Sequence, residues 1–206
     1  MARFLVTAGP TREPIDPVRF LSNRSSGLMG YAVCNALLKS NHEVVLVSGP
    51  VALDVPSGVT LERVETAEEM LSVSMKYWRS CDGLFATAAV SDYRPAEFSL
   101  NKLKREGASL SLNLIPNPDI LKTLSDSRTS NQLLVGWALE SEPGLINATN
   151  KLKSKQLDFI CLNSPSSQNS ESAELIVLGN DGFKEHLGPD HKEELARKLI
   201  DIVLPI

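Results

Sequence analysis

The chain has no excess of positive charge. Its 21 Lys and Arg are outnumbered by 25 Asp and Glu, for a formal net charge of -4. No broad basic field exists to gather nucleic acid, so basic residues have meaning here only in local clusters. Cysteine is scarce: Cys34, Cys81 and Cys161 lie far apart, with no C-x-x-C pair and no Cys/His spacing suited to a metal. That excludes a zinc knuckle or a disulfide framework and describes buried, reduced thiols of a cytoplasmic protein. The first apolar run is too short for a signal peptide, and no stretch nears the ~20 apolar residues of a bilayer span. Neither a membrane nor a nucleic acid is therefore expected as a partner. Several nucleotide-site signatures are also missing. There is no G-x-G-x-x-G and no Walker A lysine motif, and no Tyr is followed by Lys four positions on. The second strand ends in Ser48-Gly49-Pro50, without an acidic residue for a ribose. A P-loop enzyme is excluded and a nicotinamide dehydrogenase fares poorly.

What is present is a regular alternation of strand and helix patterns. The 206 residues, 42% of them apolar, fit one globular domain over 1–206. Phe4-Leu5-Val6 begins a first strand and Tyr31 to Leu38 has a helical pattern. Glu43 to Ser48 and Val59 to Val64 read as strands. Thr66 and Glu69 form a T-x-x-E capping box for a helix running to about Trp78. Gly83 to Ala89 is a buried strand and Ser109 to Leu114 alternates like a half-exposed one. Asn117 and Pro118 suit the cap and first position of a helix. Strands at Leu133 to Ala138 and Leu157 to Leu162 flank a helical stretch around Glu142 to Lys153. Ser164 to Ser172 is a polar loop. Glu174 to Leu178 and Phe183 to Leu187 surround Gly179-Asn180-Asp181-Gly182, a hairpin signal, and a last helix spans about Asp190 to Val203. The order predicts an α/β, Rossmann-like three-layer sandwich with a mainly parallel sheet and a C-terminal β-hairpin extension.

In such folds ligands bind at the carboxyl ends of the strands, and five segments meet that condition. The loop between the first strand and helix holds Arg12, Arg19, Asn23, Arg24 and the run Ser25-Ser26-Gly27. Cations with free backbone N–H groups at a helix start suit an anion, most simply a phosphate; alternatively the arginines pair with Glu13 and Asp16. In Ala86-Thr87-Ala88-Ala89-Val90-Ser91-Asp92, small residues let a ligand approach the backbone. Asp92 can serve a ribose, a base or a Mg²⁺ carried on phosphate, or simply form a turn. Asn101 to Gly107 is either a solvated basic loop or a lid over phosphates. Asn117-Pro118-Asp119-Ile120 is a helix start at the same edge. Trp137 at a strand end suits a stacked base or the core, and Lys151 and Lys155 share a helix face, as a site or as a cationic helix end.

These segments together resemble phosphopantothenate–cysteine ligase, of the bacterial type found as the synthetase domain of bifunctional coenzyme A biosynthesis proteins. AGPTREPIDPVRFLSNRSSGLMG, AAVSDYRP, KLKR, NPDIL, VGWALESE and KLKSKQLDFI stand in the family's order and near its spacing. The resemblance covers the whole chain and includes nothing of the flavin-dependent decarboxylase that precedes the synthetase in those proteins. It implies no flavin here, a separate decarboxylase as a possible pathway partner, and a homodimer in which the exposed hairpin takes part. It implies that 4'-phosphopantothenate is activated by CTP with Mg²⁺, giving an acyl-cytidylate that L-cysteine then captures. By position, Lys102 matches the essential lysine and Asn23 the asparagine that acts on the acyl intermediate. Arg19 and Ser25, with Asn23, fall in the substrate loop. Ala86, Thr87, Ala88, Asp92, Lys102, Asn117, Pro118, Asp119, Ile120, Trp137, Lys151 and Lys155 match nucleotide contacts. The chain departs from the family pattern at Leu28 (for Lys), Ser91 (for Ala), Arg105 (for Lys), Trp137 (for Phe) and Leu139 (for a small residue). The non-enzymatic alternative is a nucleotide-sensing protein that has kept the fold.

Overall fold

A computed structural model describes the chain except residues 106, 108, 140–143, 164–169 and 206. An eight-stranded sheet runs in the order β12-β11-β10-β9-β6-β1-β4-β5. Its strands are β1 (Arg3–Ala8), β4 (Glu43–Ser48), β5 (Thr60–Arg63), β6 (Gly83–Ala86), β9 (Leu133–Leu139), β10 (Phe159–Asn163), β11 (Ser172–Gly179) and β12 (Lys184–His191). From β5 through β10 the pairing is parallel; β11 and β12 are antiparallel. The parallel strands read as continuous apolar runs because both faces are covered. Helices α1 (Leu28–Lys39) and α5 (Lys192–Val203) pack on one face, around Phe4, Val6, Phe85 and Val135. Helices α2 (Ala67–Trp78), α3 (Ile120–Asp126) and α4 (Gly144–Ser154) pack on the other, around Leu5, Val45, Leu84 and Leu134. The three cysteines are buried thiols, and burial, partly offset by a hydrogen bond from its own backbone, pushes Cys34 up to about 12.

From β1 the chain proceeds outward through β4 and β5, then returns to β6 and proceeds the other way through β9 and β10. The strand order therefore reverses at β1 and β6, and a crevice opens beyond their carboxyl ends. Two small antiparallel pairs form an arm beside it. One joins β2 (Arg12–Pro14) to β3 (Phe20–Ser22); the other joins β7 (Tyr93–Pro95) to β8 (Leu114–Pro116).

Local chemistry explains most boundaries. The Thr66–Glu69 capping box is present, each side chain meeting the other's backbone N–H at 3.2 Å. Other expectations need correction. The strand expected over Ser109 to Leu114 is only Leu114–Pro116, because its partner β7 is three residues long. Asn117 is not the cap of α3: its side chain is committed to Arg94 and the Ser91 carbonyl, and Asp119 caps the helix through the Lys122 N–H at 3.0 Å. The β6 strand stops at Ala86, where the segment turns over the sheet edge beside Gly9 to Thr11. The last helix starts at Lys192, since β12 continues to His191. The hairpin is an integral part of the sheet. Its outer strand carries Lys184, Glu185 and His186 in exposed positions, a charged edge that resists pairing. Glu142, and residues 164–169 of the polar loop, lie outside the described residues.

Candidate active site

A cleft of about 550 Å³ occupies the crevice, a size suited to a nucleotide-like ligand. Ala86, Thr87 and Ala88 line it at the carboxyl end of β6. The Thr87 hydroxyl donates to the Thr7 carbonyl at 2.6 Å, tying β6 to β1 at their ends. Gly30, in the first turn of α1, packs directly over this point. A Cβ there would lie 2.4 Å from Thr87 Oγ1 and 2.5 Å from the Ala8 Cβ. Glycine is what lets the helix start come this close to the strands.

That helix start forms one end of the cleft. Gly27 caps α1 in the left-handed region, φ 79°, and no side chain caps the helix nor does any acidic residue stand in its first turn. The first backbone N–H groups of α1 are left without a side-chain cap where Ser25, Ser26, Gly27 and Leu28 line the cleft, an arrangement suited to phosphate. Asn23 stands beside it. Its Nδ2 donates to the carbonyls of Ala89 at 3.2 Å and Val90 at 3.0 Å. Two acceptors on one side orient the amide, so its oxygen faces away from them.

The other end is polar and already assembled. The Asn117 amide donates to the Ser91 carbonyl at 2.8 Å, and its oxygen accepts from Arg94 at 3.0 Å. Arg94 is itself paired with Glu68 at 2.7 Å. The Asn117-Pro118-Asp119-Ile120 turn is thus held from both sides. Lys155 reaches Asp119 at 2.8 Å and Lys151 donates to the Trp137 carbonyl at 2.7 Å. Burial opposes the charge of Asp119. Hydrogen bonds from Lys155 and the Lys122 N–H, with the charges of Lys155 and Lys151, outweigh it and hold the carboxyl below the usual carboxylate range. Trp137 also lines the cleft, with its ring against the core on the α1 and α5 side and its indole N–H buried without a partner.

The structure therefore brings together Asn23, Ser25, Ala86, Thr87, Ala88, Asp92, Asn117, Pro118, Asp119, Ile120, Trp137, Lys151 and Lys155 in one cleft. Arg19 and Lys102 are not among its lining residues. Arg19 pairs with Asp16 at 3.4 Å, as the alternative for this loop anticipated, and also donates to the Leu103 carbonyl. Lys102 is exposed on the adjoining segment. Sequence reasoning missed Asn163 and Lys192, which line the cleft's far wall. Lys192 is buried at the first position of α5, and burial lowers its ammonium pKa. A lysine opening a helix, where the dipole disfavours a cation, was the available signal. Glu140, within the VGWALESE motif, lies outside the described residues. Among the described residues no group of three or more His, Cys, Asp or Glu is placed to hold a metal ion.

Comparison with known proteins bears on this geometry. The model of the DNA/pantothenate metabolism flavoprotein C-terminal domain matches residues 1–206. A protein of an unknown prokaryotic organism named cysteine/cysteine sulfinic acid decarboxylase is 46% identical over 163 residues, covering 79% of this chain and 45% of that protein. The coenzyme A biosynthesis bifunctional protein CoaBC of Haemophilus influenzae is 38% identical over 202 residues, covering 97% of this chain and 50% of that protein. The chain thus spans about half the length of these curated relatives. Among solved structures, the C-terminal domain of a coenzyme A biosynthesis bifunctional protein CoaBC superposes with a TM-score of 0.86 at 38% identity, covering 98% of this chain and 93% of that one.

Proposed function

The chain belongs to the family of the DNA/pantothenate metabolism flavoprotein C-terminal domain, and from that premise we propose that it joins 4'-phosphopantothenate to L-cysteine at the expense of CTP. The observation that carries this reading is the cleft itself. It has an uncapped helix N-terminus at one end and a preassembled polar turn with two lysines at the other. A nucleoside triphosphate satisfies both ends at once.

In the first step a carboxylate oxygen of phosphopantothenate attacks the α-phosphorus and pyrophosphate departs. In the second the cysteine amine attacks the activated acyl carbon, loses a proton, and CMP leaves. Neither step is a redox change, so the reading needs no flavin. The backbone of Asn117 to Ile120 takes the base edge, with Lys151, Lys155 and Trp137 around the nucleoside, while Ala86, Thr87 and Ala88 let the sugar and phosphates lie close to the strands. The N–H groups of α1 and Ser25 receive phosphate. Asp92 would be the carboxylate at hand for a Mg²⁺ carried by the nucleotide, which would offset phosphate charge. Asn23 presents its amide oxygen to the acyl intermediate, Lys102 neutralises charge developing on the phosphates, and Arg19 meets the anionic end of phosphopantothenate with donors left over from its bond to Leu103.

The active form is a homodimer in this reading. Val18, Phe20, Tyr93, Phe98 and Leu100 are exposed on the arm, and the alternating Leu110, Leu112 and Leu114 have no cover of their own. A second copy seated there explains an alternation without a buried face. No helix among the described residues is long and apolar enough to cross a membrane. In this reading the ligase works in the cytoplasm and its product passes on to a decarboxylase. Pyrophosphate release with Mg²⁺, phosphopantothenate and cysteine tests the proposal. Release with CTP but not ATP is expected. Equal use of ATP would overturn the nucleotide assignment, and silence from folded protein would favour a nucleotide sensor.

A further inference from the structure

Asp16 does not line the cleft, yet its carboxylate is fully shielded from solvent. A buried charge of this kind is costly unless it is well paired, and its partners divide cleanly between its two oxygens. Oδ1 accepts the N–H groups of Val18 at 2.8 Å and Arg19 at 2.9 Å, a local turn within the loop. Oδ2 accepts the Leu103 N–H at 3.1 Å, across 87 positions of sequence, and faces Arg19 Nε at 3.4 Å. Arg19 completes the arrangement by donating to the Leu103 carbonyl. Both backbone groups of Leu103 are therefore gripped by side chains from the first loop. One further bond, from the Ser99 N–H to the Ile15 carbonyl at 3.0 Å, holds the segment on the other side of Lys102. Burial works against the charge of Asp16; the three backbone donors and Arg19 outweigh it and keep the carboxyl below its usual range.

We infer that Asp16 is a positioning residue for the ligation: through the Leu103 backbone, with Arg19, it holds the Lys102 segment against the loop that brings Asn23 to the cleft. The inference rests on the proposed role of Lys102. It also separates turn from clasp, because Asp16→Asn keeps an oxygen for Val18 and Arg19 while placing an NH₂ group where Leu103 needs an acceptor. The variant should still fold, with a modestly lower Tm because the Leu103 N–H loses its acceptor. Acyl-nucleotide formation should slow by about ten- to hundredfold, the loss expected when a hydrogen bond to a charged group is removed, while CTP affinity stays unchanged. Trypsin provides a readout independent of activity, since Lys102, Lys104 and Arg105 are its sites. Cleavage there should accelerate selectively in the variant. Wild-type rates of ligation, CTP binding weakened in step with the rate, or cleavage faster everywhere in the chain would each overturn the clasp. An inactive parent protein would instead overturn the ligase reading, and the tryptic pattern would still decide the clasp.

Discussion

Along the nucleotide half of the cleft several proposed contacts are already fixed by other residues. Asn117 is held by Arg94 and Ser91, Asp119 by Lys155, Lys151 by the Trp137 carbonyl, and the α1 start by Gly30 against Thr87. The acyl half is built differently. Lys102 lies on an exposed segment without regular structure, joined to the body through Asp16, Arg19 and Ile15. In the proposed reading one half is a receptor assembled at the sheet edge and the other an arm that delivers a charge. This division suits a reaction in which the nucleotide must be oriented first and transition-state charge is met afterwards.

The division can be broken from either side. Lys102→Gln should have the largest effect, a loss of about 10²–10³ in acyl-cytidylate formation measured by quench flow, with CTP affinity unaltered by calorimetry. A parallel loss of affinity would make Lys102 part of the receptor. Gly30→Ala attacks the receptor instead. Its new Cβ, 2.4 Å from Thr87 Oγ1, should cost about 1–3 kcal/mol as overpacking does and lower Tm by about 2–4 °C per kcal/mol. Affinity for CTP should fall with it, since the end proposed to hold phosphate moves. Unchanged Tm and affinity would show that the helix start is free to shift.

Lys155→Met probes the far end more gently. Affinity for CTP should drop by no more than about fivefold, the scale of one partly exposed charge contact, with little change in kcat. It should also alter the acid limb of stability. The folded-state pKa of Asp119 is depressed, so its contribution is complete above the unfolded value of about 3.9 and is lost as pH falls through the folded one. Without Lys155 that depression shrinks, and Tm should fall less steeply on acidification below about pH 4. The smallest effect is expected from Trp137→Phe, which removes a buried donor without a partner. Stability should rise slightly, by roughly 1 kcal/mol, the cost of such a group, read as a higher Tm; a fall would assign the indole N–H a role in the nucleotide half.

Much of this was legible in the residues. Strand-helix alternation, the Thr66–Glu69 box and the small residues at Ala86 to Ala88 reported local preferences that the tertiary structure reinforced. The misplaced features depended on remote partners. Asn117 has good cap chemistry, but Arg94 and Ser91 claim its side chain. The alternation ending at Leu114 reads as a strand, yet only three residues find a partner. Nothing local marks Asp16 as the anchor of a segment 87 positions away.

The amino-acid sequence by itself determined the order of elements, the family and the chemistry available: cations, amides and small residues at strand ends. Periodicity, capping and turn preference are properties of neighbours along the chain, so they survive without coordinates. Which cations face the cleft and which hold a loop was decided only by the tertiary structure. A lysine's role depends on which carboxylate, carbonyl or helix end lies within a few ångströms, and folding alone creates that proximity.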